Sequence, residues 1–151
     1  MRLLLFTFFS FSFAFQSCDK LKLSKKTDSD LLDKVSFIWK VNIAKEDGYT
    51  VYDENTSQYI KGYYSTFLID LSSPPKVKLT DIDGLTFEGL FSLDENSKQL
   101  LIQFNNEAPY GTNGKISYSM ELIDDDNLVL IRNSTNPKTG VTITTYNLVK
   151  K

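Results

Sequence analysis

Apolar residues alternate with polar residues along almost the whole chain after Leu32, and this period of two constrains the fold more than any other feature. Trp39 and Val41 are separated by a lysine, and Ile116 and Tyr118 by a serine. A period of two puts every second side chain on the same face of a β-strand, whereas a helix repeats every 3.6 residues. No segment beyond Leu32 has a helical period, so the sequence predicts an all-β fold.

Eight or nine strands are predicted, and the segments between them have the chemistry of tight turns. The turns are rich in Asp, Asn and Gly, which bond their own backbone or accept left-handed dihedral angles. The Asp81–Gly84 and Asp124–Asp126 segments are therefore interpreted as turns and not as calcium loops, which need six or more oxygen ligands. The predicted strands cover residues 37–43, 59–71, 76–80, 85–93, 100–104, 116–122, 128–132 and 141–149, and a short helical turn at Leu31-Leu32 is expected to plug one end.

Short turns between consecutive strands predict an antiparallel up-and-down meander. Strands with one apolar face must curl until these faces meet, which gives a barrel or a sandwich. A sandwich needs long connections between its sheets, and residues 104–115 are the main candidate for one. An eight- or nine-stranded barrel is the preferred interpretation because closure also removes exposed sheet edges.

The chain has no histidine and one cysteine, which limits its chemistry. Ser-His-Asp and Cys-His catalysis both require histidine, and most transition-metal sites use histidine or several cysteines. We expect no enzymatic activity, no cofactor and no metal site. The net charge of −2, without a basic cluster, argues against nucleic-acid binding.

The N-terminus predicts export. Arg2 precedes an apolar stretch that is too short to span a membrane, and polar residues follow it. Phe15-Gln16-Ser17-Cys18 resembles the lipobox of bacterial lipoproteins. The resemblance implies a signal peptide over 1–17, an acylated Cys18, a tether over 18–31 and a barrel domain over 32–151. The protein is then expected to be anchored in the cell envelope, at the outer membrane. A free structural cysteine or an intermolecular disulfide remains the alternative role of Cys18.

The order of the strand motifs carries a second resemblance. Trp39 opens the first strand, and Tyr118-x-Met120-x-Leu122, Leu128–Arg132 and Tyr146–Lys150 follow late in the chain. This order is similar to that of the small lipocalin-like lipoproteins of the Bacteroidota, although Phe37 stands where lipocalins have glycine. The resemblance implies an eight-stranded barrel, closed at its narrow end by Trp39 with Arg132 stacked on the indole ring.

Three functions are considered on this basis. The first is a monomeric, membrane-anchored module that holds a small apolar molecule in the barrel. The second is an envelope interaction or inhibitor protein with a solid core, which acts through its loops. Six tyrosines are candidates to rim an opening and contact a ligand or glycan, although ordinary packing is the favoured interpretation of them: Tyr49, Tyr52, Tyr59, Tyr63, Tyr64 and Tyr110. An enzyme is the third and least favoured. The candidate ligand-lining residues are Phe67, Phe87, Phe91, Phe104, Tyr118 and Met120.

Overall fold

A computed structural model describes residues 28–56, 60–132, 134–141 and 143–151. One helix, α1 (Asp28–Val35), precedes nine strands, so the last four residues of the predicted tether belong to a helix. The signal peptide, Cys18 and Tyr59 lie outside the described residues. The strands are β1 (Ile38–Glu46), β2 (Tyr49–Asp53), β3 (Leu68–Ser73), β4 (Lys76–Thr80), β5 (Thr86–Asp94), β6 (Gln99–Phe104), β7 (Lys115–Ile123), β8 (Asn127–Arg132) and β9 (Thr144–Lys150).

The strands form one antiparallel sheet that closes on itself. Its order is β2-β1-β3-β4-β5-β6-β7-β8-β9, and β9 also pairs with β1. Eight strands therefore make the barrel wall. The ninth, β2, forms a hairpin on the second half of β1, while β3 pairs with the first half. The predicted up-and-down barrel is confirmed, and the sandwich alternative is wrong because the sheet closes by backbone pairing and not by packing of two faces.

Strand β1 departs from strict alternation. The β1–β9 register shifts between Val41 and Ile43, so a bulge adds one residue and reverses the side-chain parity. Trp39 and Val41 face the core as predicted, but beyond the bulge the buried residues are Ala44 and Glu46. Ile43 was predicted to share the Trp39 face and is only half-buried.

The predicted strand over 59–71 is also corrected. Residues Gly62–Thr66 form a 3₁₀ turn, and the strand begins only at Leu68. The apolar residues Phe67, Ile69 and Leu71 are buried on one parity, as expected. The 3₁₀ turn carries the chain from the β2 hairpin across the barrel end to β3.

The two ends of the barrel differ. The proximal end has α1 and the short turns β3–β4, β5–β6 and β7–β8. The distal end has the β1–β2 turn, the 3₁₀ turn and the loops β4–β5, β6–β7 and β8–β9. The predicted helical plug at Leu31-Leu32 is confirmed, since both leucines pack against the core at the proximal end.

Candidate functional site

Trp39 anchors the proximal end. Its ring is fully buried, and its indole N–H donates a 2.8 Å hydrogen bond to the carbonyl of Val35, the last residue of α1. Phe37 meets this ring edge-on with centroids 6.1 Å apart, and the Lys150 ammonium lies 3.7 Å from the centre of the Phe37 ring. The period of two in the predicted strand 37–43 puts Phe37 on the same face as Trp39, but Phe37 is 39% exposed. The cation–π contact at this end therefore joins Lys150 and Phe37.

The predicted stacking of Arg132 on Trp39 is wrong. Arg132 pairs with Thr144, and Thr144 pairs with Glu46, at the far end of β1 from Trp39. At about 3.3 Å per residue, the two positions are roughly 20 Å apart along the strand, beyond the reach of a guanidinium. Arg132 is buried, with 4% exposure, but at the distal end.

The candidate ligand-lining residues all face the interior, and there they pack against one another and their neighbours. They are Phe67, Phe87, Phe91, Phe104, Tyr118 and Met120, each at most 8% exposed. Phe87 meets Phe104 edge-on at 6.0 Å. Phe91 and Met120 also line separate grooves beside α1.

Tyr146 fills the middle of the distal half. Its ring stacks on Phe67 with centroids 4.1 Å apart and meets Tyr64 and Tyr118 edge-on at 6.0 and 6.1 Å. Tyr118 and Tyr146 come from β7 and β9, whereas Tyr64 lies in the 3₁₀ turn and Phe67 directly follows it, so rings from distant parts of the chain fill the distal half of the interior. Burial raises the pKa of Tyr118 and Tyr146 well above 10, and the nearby positive charge of Arg132 opposes this shift in both.

Lys138 fastens the β8–β9 loop to the β4–β5 loop. Its ammonium lies 2.7 Å from Oδ2 of Asp81 and 2.5 Å from Oδ2 of Asp83, and 5.9 Å from the centre of the Phe87 ring. Asp81 is buried and Lys138 is nearly so. Burial lowers the pKa of Lys138, but its hydrogen bonds to the two carboxylates outweigh this and raise it overall. The sequence signal was the Asp81–Gly84 segment, whose carboxylates bind a lysine far along the chain.

Glu46 makes a second buried polar contact at the distal end. The Tyr64 hydroxyl donates a 2.8 Å hydrogen bond to Oε1 of Glu46, and the Lys61 ammonium pairs with Oε2. Burial first, and then the Glu46 carboxylate, raise the pKa of Tyr64. The pKa of Lys61 is raised because the hydrogen bond to Glu46 outweighs desolvation. Sequence reasoning missed this cluster because the bulge in β1 decides that Glu46 points inward.

Among the described residues, nine large apolar side chains are exposed, and six of them lie at the distal end: Tyr49, Ile60, Tyr63, Leu85, Tyr110 and Ile143. We call this set the distal rim. Three of the predicted rim tyrosines, Tyr49, Tyr63 and Tyr110, belong to it. Tyr52 and Tyr64 are buried, which agrees with the packing interpretation and not with a place at the rim.

The loops behind the distal rim are tied together. Ile143 and Asp47 exchange hydrogen bonds of 3.0 Å, one of them through the Asp47 carboxylate. The Thr66 hydroxyl donates to the carbonyl of Tyr63, 2.8 Å away, and lies 3.1 and 3.2 Å from the carbonyls of Ile82 and Asp81 in the β4–β5 loop. Pro137 packs so close to Gly111 that a β-carbon there would overlap it. These contacts join the loops that carry the rim.

The Asp124–Asp126 segment is a turn, as predicted. Oδ1 of Asp124 accepts hydrogen bonds of 2.9 and 2.8 Å from the backbone N–H groups of Asp126 and Asn127. These bonds lower the Asp124 pKa. Within the described residues, no group of three or more acidic or cysteine side chains is arranged to hold a metal, and none of the helices there is long and apolar enough to cross a membrane.

The fold places the chain in the class of closed, up-and-down antiparallel β-barrels, the architecture of lipocalins. No protein-family model matches the chain, and no curated protein matches it. Among solved structures it is similar to a lipocalin-like protein from Bacteroides uniformis ATCC 8492, with a TM-score of 0.48, 17% identity, and coverage of 78% of this chain and 99% of that one. It is also similar to an uncharacterized protein from Bacteroides eggerthii DSM 20697, with a TM-score of 0.46, 13% identity, and coverage of 76% of this chain and 98% of that one. A third similar structure is a duf4847 family protein from Bacteroides vulgatus ATCC 8482, with a TM-score of 0.48, 15% identity, and coverage of 77% of this chain and 93% of that one.

Proposed function

We propose that this chain is an exported lipoprotein, anchored in the cell envelope through acylated Cys18, whose barrel is a binding module that acts through its distal end. The observation that carries this proposal is the concentration of exposed apolar side chains in the distal rim. Clustered exposed apolar residues, and tyrosine in particular, are typical of protein interaction surfaces. The close packing of aromatic rings in the distal half favours the loop-acting alternative over a ligand held inside the barrel.

The orientation of the barrel agrees with this proposal. The chain enters the domain through α1 at the proximal end, so a tether from Cys18 holds that end toward the membrane. The distal rim then faces away from the lipid and toward partners. Because its loops are joined by Lys138, Asp47 and Thr66, little conformational entropy is lost when a partner binds.

The packing of the interior also favours a surface function. Eight-stranded barrels are just wide enough either to be filled by side chains or to hold one small ligand. Here Tyr146, Phe67, Tyr64 and Tyr118 occupy the axis of the distal half. A molecule could enter this space only if these rings moved apart.

Site-specific photocrosslinking in cells tests the distal surface. A photoreactive phenylalanine analogue would replace Tyr49 or Tyr110, and, as a control, Leu90, which is 49% exposed on the outer wall of β5. We expect covalent adducts from the two rim positions and not from Leu90. Equal adducts from all three positions, or none from the rim, would contradict the proposal.

The anchor has its own test. Cys18→Ala is expected to abolish labelling by a clickable fatty acid and to leave the protein uncleaved or soluble. Ser17→Ala keeps a small residue before the cysteine and is the matched control, which should still be labelled. Label that persists on Cys18→Ala would refute the lipid anchor and leave the distal-surface proposal standing.

A small apolar ligand is the second candidate function, at a different place from the one expected. A groove of about 460 Å³ beside α1 is lined by Leu32, Phe91, Leu93 and the Pro74-Pro75 turn. Its size is within the usual range of about 300–1,000 Å³ for ligand pockets. Binding of an anilinonaphthalene dye that Leu93→Lys abolishes, while Leu90→Lys on the outer wall does not, would favour this function.

A further inference from the structure

We propose a binding site for a small hydroxylated anion in a groove of about 420 Å³, which we call the anion groove; it follows the outer wall of β6 and β7 from Gln99 and Ser119 to the distal loops, and Arg132 borders it at its distal end. The proposal goes beyond the distal rim, because none of the rim residues lines this groove. Two cations, Arg132 and Lys115, are among its lining residues, and none of the described lining residues is acidic. The other polar side chains that line it are Gln99, Thr112, Ser117, Ser119, Ser134 and Thr135.

Arg132 is the anchor of the proposed site. Its side chain is almost entirely buried, with 4% exposure, and its Nε–H donates a 3.2 Å hydrogen bond to the Ser134 hydroxyl. None of the ion pairs found among the described residues includes Arg132; the nearby Asp81 is paired with Lys138. A buried charge is costly unless an opposite charge compensates it, so the guanidinium favours an anion beside it.

The electrostatic effect of this charge is visible on its neighbours. Burial dominates the pKa values of Tyr118 and Tyr146, yet Arg132 pulls both back toward their ordinary value. A planar guanidinium offers paired N–H donors that match a carboxylate, phosphate or sulfate group. Lys115 adds a second positive charge at the start of β7, on the exposed side of the same groove.

The rest of the lining selects for hydroxyl groups on the ligand. Hydroxyl side chains can both donate and accept hydrogen bonds, and the Gln99 amide does both as well. Ser117 lies on the outward face of β7, because it alternates with the buried Ile116 and Tyr118. The groove also falls within the size range of small-molecule sites. The chemistry therefore points to an oxyanion carried on a polyhydroxylated molecule, such as a sugar acid, with free phosphate as the simpler source of the same group.

Calorimetric titration of the full chain at fixed ionic strength tests the site with three probes: glucuronate, glucose and inorganic phosphate. We expect glucuronate to bind at least tenfold more tightly than glucose. Phosphate binding at least as tight as glucuronate binding would identify a free oxyanion as the ligand. No binding of either anion, or equal binding of glucose and glucuronate, would overturn the proposal.

Variants locate the binding. Arg132→Gln should weaken anion binding about tenfold or more, as expected when a charged hydrogen bond is lost. Lys115→Gln and Ser117→Tyr change exposed residues, so they keep the test valid if Arg132→Gln fails to fold. We expect Lys115→Gln to bind the anion about threefold more weakly and Ser117→Tyr not to bind it. Lys76→Gln removes an exposed lysine of β4 outside the groove and should bind normally. Binding that survives Ser117→Tyr, or that falls equally in Lys76→Gln, would place the anion elsewhere.

Discussion

Lys138 gives the sharpest stability prediction, because it is the only described cation that bridges two carboxylates, one of them buried. Lys138→Met keeps the aliphatic stem and leaves the Asp81 carboxylate, 6% exposed, without its counterion. Removing one partner of a buried pair costs about 3–5 kcal/mol. We expect the lower end, about 3 kcal/mol, because Lys138 keeps 15% exposure and Asp83 is 38% exposed. This is a large part of a typical domain stability of about 5–15 kcal/mol.

Urea denaturation followed by tyrosine and tryptophan fluorescence would measure this cost. The double variant Lys138→Met/Asp81→Asn should recover part of the loss, since it removes the uncompensated charge. Lys78→Met is the matched control: Lys78 pairs with Glu88 at 2.9 Å, but both side chains are mostly exposed, and the midpoint should hardly change. The reasoning would be refuted if Lys138→Met shifted the urea midpoint no more than Lys78→Met does. It would also be refuted if the double variant were less stable than Lys138→Met alone.

Three further predictions concern stability. Trp39→Ala should cost roughly 3–5 kcal/mol in the free energy of unfolding, as for other large buried side chains, and a cost below about 1 kcal/mol would contradict the buried position. Gly89→Ala should lower the melting temperature because its β-carbon would overlap a backbone carbonyl of β6, whereas the matched Gly62→Ala meets nothing within 4 Å and should not. Burial raises the Asp83 pKa, but its hydrogen bond from the lysine outweighs this and holds it below 3.8 overall. The contribution of Asp83 to the free energy of unfolding is therefore present above about pH 4 and lost as the pH falls through the folded-state pKa. The stability difference between wild type and Asp83→Asn should vanish in acid. A difference that stays constant with pH would refute this prediction.

Local pattern was enough to predict most of the strands. Leu100 and Ile102 in β6, and Leu128 and Leu130 in β8, are buried on the predicted parity. Each of these assignments needs only the alternation of neighbouring residues, which the pleat of a strand imposes wherever one face is buried. The turn at Asp124 was predictable for the same reason, because an Asp side chain bonds backbone N–H groups two and three residues away.

The candidate sites could not be predicted in this way, because they depend on register and on loops that are distant in sequence. Trp39 and Arg132 both face inward, as their parity indicates, but hydrogen-bond register alone decides that they lie at opposite ends. The bulge in β1 also reverses which residues face inward, so simple alternation does not predict that Glu46 points toward Tyr64.

The all-β class, the meander and the positions of most strands could be predicted from the sequence, because they follow from contacts between residues close in the chain. The closure of β9 on β1, the filling of the barrel by Tyr146 and the meeting of Lys138 with Asp81 were decided only in the tertiary structure. Each of these contacts joins segments that are far apart in sequence. Their geometry depends on the tilt and stagger of the closed sheet, which no single strand contains.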